Sequence, residues 1–259
     1  MKAVIKKIIK YIGIVLIYCL VLGAVEYGSQ ILLKYEKDSE IDFLFSGVGA
    51  VLGFLTVYII TNNKEKIIRD NKIIKLSTAI YASILGAALN LFIDYGIYGT
   101  VFRIKSDSSL NCSITMAVLS VVIAPVTEEY IFRKCSIDMA KEKRLDTVSL
   151  IIASSLLFAV IHNVSNVARF SSLLLAAIVY SVLYLKTKKI MICVCAHFGH
   201  NLVSQIGKIE RNYAFEIISV KTIKSKVTIT LLMIVLMILC YIFIEKNVNN
   251  KVITNEKTQ

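Results

Sequence analysis

One apolar run of the sequence ends in two adjacent carboxylates and an arginine. The run "AVLSVVIAPV" is followed by "TEEYIFRK", which contains Glu128, Glu129 and Arg133. Ionisable side chains inside an apolar membrane segment are costly, so they are expected to be paired, to line a cavity or to do chemistry. On a helix, Glu129 and Arg133 are four residues apart and share a face, which predicts an ion pair. Glu128 points about 100° away from Glu129 and is left free to act as a base.

Two other apolar stretches carry histidine. His162 ends "FAVIH", and "HFGHN" places His197 and Asn201 four residues apart on one helical face, with His200 on a neighbouring flank. A buried asparagine needs a hydrogen-bond partner, so Asn201 is expected to contact another polar group. The cysteines of "CVCAH" step by two residues toward His197 and do not share its face, so a Cys/His metal site is not expected there.

Each stretch alone has a simpler explanation. Arg133 can extend to the lipid headgroups with the carboxylates beside it, and His162 can be a hydrogen-bonded packing residue. Together, a carboxylate and two histidines on separate helices can converge on a metal ion or on one water molecule. A carboxyl group in a low-dielectric pocket can take up and return a proton, and the Asn201 amide can donate to an oxyanion. Amide hydrolysis inside a membrane requires these parts.

The elements that must position these residues are transmembrane helices. The chain has 259 residues, of which 56% are hydrophobic, a mean hydropathy of +0.70 and one proline. Runs of roughly 17 or more apolar residues can cross the bilayer, and only helices satisfy their own backbone there. We predict an all-α polytopic membrane protein, one domain over residues 1–259, with the site on helices four, five and seven. The eight predicted runs are about 8–26, 43–61, 73–93, 114–133, 147–163, 170–185, 190–206 and 227–244.

The net charge of +12 follows from membrane topology rather than from nucleic-acid binding. Nineteen of the 30 Lys and Arg residues fall in the segments that are inside if the N-terminus is cytoplasmic. This bias predicts a multi-pass protein of the cell membrane with both termini in the cytoplasm. The loop at 207–226 is an exception, with five positive residues on the predicted outside.

Two further expectations concern the ends of helices. The first apolar run is expected to stay as a transmembrane helix, because "VLGAVEYGS" is a poor signal-peptide cleavage site. Glu128 lies near the end of its run, whereas His162 lies far from the start of its own. The two side chains lie at the same depth in the membrane only if helix four continues past Lys134 to about 141–144. The cavity would then open toward the cytoplasm.

The three stretches resemble the ordered motifs of the CPBP family. "EEYIFR", "FAVIH" and "HFGHN" are similar to its motifs EExxxR, FxxxH and HxxxN. That family includes the CAAX prenyl endopeptidases and the bacterial self-immunity (Abi-type) membrane proteins. The resemblance covers helices four to seven, a protease-like core at about 114–206. It implies an intramembrane endopeptidase that hydrolyses a peptide bond of a membrane-associated peptide or protein.

The resemblance also implies roles for the carboxylate helix. Glu128 would be the base that activates water, and Glu129 with Arg133 would hold the helix and the geometry of Glu128. Phe158 would pack beside the site. Because Arg133 keeps Glu129 ionised, the substitution Glu129→Gln is expected to act mainly through stability.

His162 and His197 would orient the water or bind a metal, and Asn201 would stabilise the oxyanion. The family has been described both as metalloproteases and as metal-independent glutamate proteases. Zinc held by Glu128, His162 and His197 and a mechanism without metal therefore both stay open. His200 has no motif role and is expected to pack or to support the site.

Two other functions compete with the endopeptidase. A non-catalytic bacteriocin self-immunity protein would bind a bacteriocin or its receptor, but it would not need Glu128 and His197 together. A transporter with a proton relay would show inverted repeats and helices broken by glycine and proline. One proline in the chain argues against it.

Overall fold

The computed structural model describes residues 2–37, 39–61, 74–101, 114–140, 144–162, 166–212 and 222–256. In that part of the chain eight helices overlap the eight apolar runs. They are α1 (Lys2–Leu33), α2 (Glu40–Thr61), α3 (Leu76–Phe92), α4 (Ile114–Met139), α5 (Arg144–Ile161), α6 (Val167–Thr187), α7 (Ile190–Asn212) and α8 (Ile223–Glu256).

Most of these helices are apolar along their whole length. Seven of the described helices are long and apolar enough to cross a membrane, and the apolar part of α7, Ile190–Ile206, is shorter. An α-helix satisfies its backbone polar groups within the segment, which hydrocarbon requires. The chain is therefore an all-α, multi-pass membrane protein, as predicted.

Helix α4 is interrupted by two wider turns. It forms π-helical turns over Leu119–Ile123 and Tyr130–Lys134, on either side of the α-helical segment Ala124–Glu129. Such turns are rare, and they occur frequently at functional sites. The helix continues past Lys134 to Met139, as predicted, while residues 141–143 lie outside the described residues.

Two groups of buried apolar side chains form the interior. One joins α3, α6, α7 and α8, and the other joins α1, α4 and α5 with α2 and α6 at its edges. Helix α6 contributes to both, through Tyr180 to the first and Ala177 to the second. The side chains singled out in the sequence lie along this boundary, with α4 and α5 on one side and α7 on the other.

Polar contacts bring several helix ends together. Lys7 of α1 pairs with Asp146 in the first turn of α5 and donates to the carbonyl oxygen of Ala140 over 3.3 Å. The Tyr184 hydroxyl near the end of α6 donates to Asp138 over 3.0 Å. The start of α1, the end of α4, the start of α5 and the end of α6 therefore share one end of the molecule. The first apolar run is part of the packed fold.

Helices α3 and α7 meet at backbone distance. A Cβ atom at Gly86 would lie 1.6 Å from the carbonyl oxygen of Ala196, and one at Gly199 would lie 2.0 Å from that of Ser83. Neither position has room for a side chain, so the two glycines let the backbones touch. Gly199 belongs to the "HFGHN" stretch, so this contact also sets where His197 lies.

We expect Gly86→Ala to lower the yield of folded protein. The methyl group meets backbone rather than a flexible side chain, so α7 must move away, at a cost of about 1–3 kcal/mol or more. Gly23→Ala is the matched control, because a Cβ there meets nothing within 4 Å. Fluorescence-detected size exclusion in detergent measures both variants. Equal folded yields would show that α3 and α7 do not depend on this contact.

Candidate active site

The carboxylate of Glu128 faces two imidazoles from other helices. Its Oε1 lies 4.0 Å from Nε2 of His162, at the end of α5, and its Oε2 lies 3.9 Å from Nε2 of His197 on α7. Glu128 and His162 are partly exposed, with Glu128 16% exposed, whereas His197 is buried. The structure thus brings Glu128, His162 and His197 together, and their roles stay a prediction.

The other nitrogen of each imidazole is engaged by an acceptor. Nδ1 of His162 lies 2.7 Å from the carbonyl oxygen of Phe158, and Nδ1 of His197 lies 2.8 Å from Oε1 of Glu129. Because a carbonyl or carboxylate oxygen only accepts, these partners assign the hydrogen to Nδ1 in the neutral ring. Each Nε2 then presents a lone pair toward Glu128. A water molecule between them can donate one hydrogen to Glu128 and the other to one imidazole Nε2.

Glu129 and Arg133 form the predicted ion pair in a fully buried place. Nη1 of Arg133 lies 3.1 Å from Oε1 of Glu129, and both residues are 0% exposed. The guanidinium carbon lies 4.6 Å from the ring centre of Phe158 and 5.4 Å from that of Tyr180, so both ring faces meet its charge. The buried position contradicts the alternative in which Arg133 extends to the headgroups.

Glu129 does more than neutralise Arg133. The same oxygen that pairs with Arg133 also accepts from His197, 68 residues further along the chain. A carboxylate behind an imidazole fixes the ring orientation and its tautomer. Spacing along α4 predicted the ion pair but contained no sign of this second contact.

We therefore expect Glu129→Gln to reduce turnover as well as stability. A neutral amide oxygen accepts more weakly from His197 and no longer balances Arg133, so turnover per folded molecule should fall about tenfold or more. The measurement is product formation divided by the amount of monodisperse protein. Unchanged turnover per folded molecule would restore the sequence-based expectation that this variant acts only through stability.

Two aromatic side chains hold the imidazoles in place. Phe158 packs 4.5 Å from the ring of His162 and 6.3 Å from that of His197, beside the site as predicted. Tyr180 of α6 stacks on His197 with the ring centres 5.3 Å apart and an angle of 24° between planes. Tyr180 belongs to no motif, and nothing in its sequence context identified it.

A tyrosine from α1 also reaches the site. Tyr18 is 5% exposed, and its hydroxyl interacts with the side chain of Thr127, the neighbour of Glu128. A Cβ atom at Gly53 of α2 would lie 2.8 Å from the Tyr18 ring. The small residues of the "GAVLG" stretch at 49–53 thus allow α2 to pack closely against α1. No pattern in the sequence connects Tyr18 with the site.

Asn201 and His200 occupy different surroundings. Nδ2 of Asn201 donates to the carbonyl oxygen of Ser120 on α4 over 2.7 Å, so its hydrogen bond is made two turns before Glu128. The ring of His200 lies 6.3 Å from that of Tyr180, edge to face, and its buried Nδ1 has no hydrogen-bond partner among the described residues. Asn201 has the polar partner that was predicted, while His200 packs.

The described residues do not form a metal centre as they stand. In that part of the chain, no three His, Cys, Asp or Glu side chains are arranged to hold a metal ion. Two ligand atoms of one tetrahedral zinc lie about 3.4 Å apart. The separations of 3.9 Å and 4.0 Å around Glu128 are longer. Zinc at this site stays a prediction, and the chemistry below is derived without it.

Comparison with known proteins agrees with the motifs. Residues 110–203 match the family model described as type II CAAX prenyl endopeptidase Rce1-like, and this segment contains all three motifs. No curated protein matches the chain significantly, and no solved structure does. The segment that carries the site is therefore similar to the type II CAAX prenyl endopeptidases of the CPBP family.

Proposed function

We propose that this protein is an intramembrane endopeptidase that hydrolyses a peptide bond of a membrane-associated peptide or protein with water activated by Glu128. The observation that carries the proposal is the position of Glu128, with an imidazole Nε2 at 4.0 Å and another at 3.9 Å. Glu128 and one imidazole hold a water molecule by its two hydrogens and leave its oxygen lone pairs free. The family match supports the reaction class.

The reaction needs one proton to move twice. Glu128 takes a proton from the bound water while the water oxygen attacks the peptide carbonyl carbon. The negative charge that develops on the carbonyl oxygen is stabilised by an amide hydrogen of Asn201. Glu128 then gives its proton to the nitrogen as the carbon–nitrogen bond breaks, which releases a carboxylic acid and an amine.

His197 contributes through its orientation. Glu129 accepts from Nδ1 of His197, so Nε2 keeps its lone pair for the water. Tyr180 stacks on one face of the ring and prevents it from turning. His162 is fixed in the same tautomer by the carbonyl oxygen of Phe158. One imidazole accepts one hydrogen of the water, and Glu128 accepts the other and alone moves the proton.

The proposal includes a location. The site lies on helices that cross the membrane, so the scissile bond must reach it in or beside the bilayer. We place the protein in the cell membrane with both termini and the opening of the cavity in the cytoplasm, because the predicted inside segments carry most of the basic residues. Protease accessibility of tags at the two termini in inside-out vesicles tests this orientation.

Comparative membrane peptidomics identifies the substrate class. Cells that produce the natural chain are compared with cells that produce Glu128→Gln and with cells that produce Glu26→Gln. Glu26 is the matched control, since it is another carboxylate on a membrane helix and accepts from Ser46 of α2. We expect cleavage products that are lost only in Glu128→Gln. Identical peptide sets in all three would refute the endopeptidase.

A second outcome separates the alternative function. A non-catalytic self-immunity protein would protect cells against a bacteriocin by binding, and this protection would survive Glu128→Gln. Protection lost in Glu128→Gln and kept in Glu26→Gln would instead tie the biological effect to catalysis.

A further inference from the structure

Two side chains of α7 bind one residue of α4. Nδ2 of Asn201 donates to the carbonyl oxygen of Ser120 over 2.7 Å, and Nε2 of Gln205 donates to the Ser120 hydroxyl oxygen over 2.7 Å. Asn201 and Gln205 are four residues apart and lie on one face of α7. Gln205 is 6% exposed, so this contact is made in the interior. The motif contains Asn201 but neither Ser120 nor Gln205.

The carbonyl group of Ser120 is available because of the π-helical turn and the proline. In an α-helix it would accept from the N–H of Ala124, but that N–H donates to Leu119 in the π turn. In a π-helix it would accept from residue 125, which is Pro125 and has no N–H. The one proline of the chain thus removes the last helical donor for this carbonyl group.

An unpaired carbonyl group is costly at this depth. Hydrocarbon offers no hydrogen-bond donor, so a free backbone oxygen must be satisfied by a neighbouring side chain. Asn201 supplies that donor from another helix. The carboxamide of Asn201 has two N–H hydrogens, and binding Ser120 with one fixes the amide plane while the second remains available.

We propose that Ser120 is an anchor for α7 and that Pro125 and Gln205 are positioning residues of the active site. The anchor joins Asn201, one turn after His197 on α7, to Ser120, two turns before Glu128 on α4. It thereby fixes how α7 lies along α4, and it orients the amide that donates to the oxyanion. The oxyanion part rests on the proposed function, whereas the anchor itself does not.

A double-mutant cycle on stability tests the anchor without any catalytic readout. Asn201→Leu strands the Ser120 carbonyl group and is expected to lower the thermal midpoint of the full-length protein in detergent by roughly 3–8 °C. Pro125→Ala returns an N–H to position 125. In the Pro125→Ala background we therefore expect Asn201→Leu to cost less than half as much. Equal costs in the two backgrounds would overturn the anchor.

Turnover tests the positioning role. In Pro125→Ala, the new N–H competes with Asn201 for the carbonyl group, so we expect kcat to fall about tenfold at unchanged KM, with no loss of thermal midpoint. Ser120→Ala is the matched control, because it removes the hydroxyl and keeps the carbonyl group; we expect a smaller loss of kcat. If Pro125→Ala has the kcat of the unsubstituted protein, the positioning role is refuted. It is also refuted if Ser120→Ala loses as much kcat as Pro125→Ala does.

The two kinds of failure are distinguishable. If the natural chain produces no cleavage product, the proposed function fails and the stability cycle still decides the anchor. If the natural chain cleaves its substrate and the cycle shows no coupling, only the anchor falls.

Discussion

Replacing Glu128 with glutamine should lower product formation about a hundredfold or more while the protein stays folded. Glutamine keeps the size of the side chain and its hydrogen bonding, but it cannot take a proton from water. Glu128 has no intrahelical cation and is partly exposed to the site, so the change strands no buried charge. The measurement is product formation per folded molecule with purified protein in detergent or vesicles.

The control for this result is Glu26→Gln, measured with the same substrate. It neutralises a carboxylate on α1 that contacts Ser46 and none of the imidazoles. We expect near-natural turnover in this variant. Near-natural turnover in Glu128→Gln together with its loss in Glu129→Gln would reverse the roles of the two glutamates. If Glu128→Gln and Glu129→Gln both keep turnover, the reaction does not use glutamate chemistry.

Replacing Arg133 with alanine should destabilise the protein by about 3–5 kcal/mol. The variant leaves the carboxylate of Glu129, which is 0% exposed, without its cation. It also removes the guanidinium group from between the rings of Phe158 and Tyr180. Folded yield and thermal midpoint should fall together, and turnover should fall because Glu129 no longer holds His197 in one place.

The next residue provides a matched control. Lys134 pairs with Asp138 over 3.1 Å with the same spacing of four residues, but the carboxylate side chain is 37% exposed. Exposed pairs contribute about 1 kcal/mol or less, so Lys134→Ala should be nearly neutral. Similar thermal midpoints for Arg133→Ala and Lys134→Ala would show that the buried pair is not what stabilises this region.

Much of the fold follows from local patterns in the sequence. Long apolar runs predicted the helices because hydrocarbon leaves the backbone no other way to satisfy its polar groups. The spacing of Glu129 and Arg133 predicted their ion pair, since four residues make about one turn. Glu128 and His162 can lie at the same depth in the membrane only if α4 continues past Lys134, and this requirement predicted the continuation. The first two of these inferences use neighbours on a single helix, and the third compares depths on α4 and α5.

Contacts between helices were harder to predict. The hydrogen bond from His197 to Glu129 and the stacking of Tyr180 depend on how α4, α6 and α7 are rotated against one another. A run of apolar residues contains no information on that rotation. The oxyanion role of Asn201 was expected from its chemistry, but its partner Ser120 becomes visible only when the π-helical turn is known.

The π-helical turn at Leu119–Ile123 also makes the length of α4 part of the site. A turn closed by a bond five residues back holds one residue more than an α-helical turn. Deleting one residue within the turn would let it close as an ordinary α-helical turn, with the two flanking parts of α4 kept nearly in register. Deleting one residue in the α-helical stretch 124–127 would instead rotate Glu128 against the part before it by about 100° and shorten the helix by about 1.5 Å. Glu128 could then no longer face both imidazoles while Ser120 stays bound to α7. The stretch 124–127 should therefore tolerate substitutions far better than deletions, whereas a one-residue deletion within Leu119–Ile123 would mark a chain that has lost the π-helical turn.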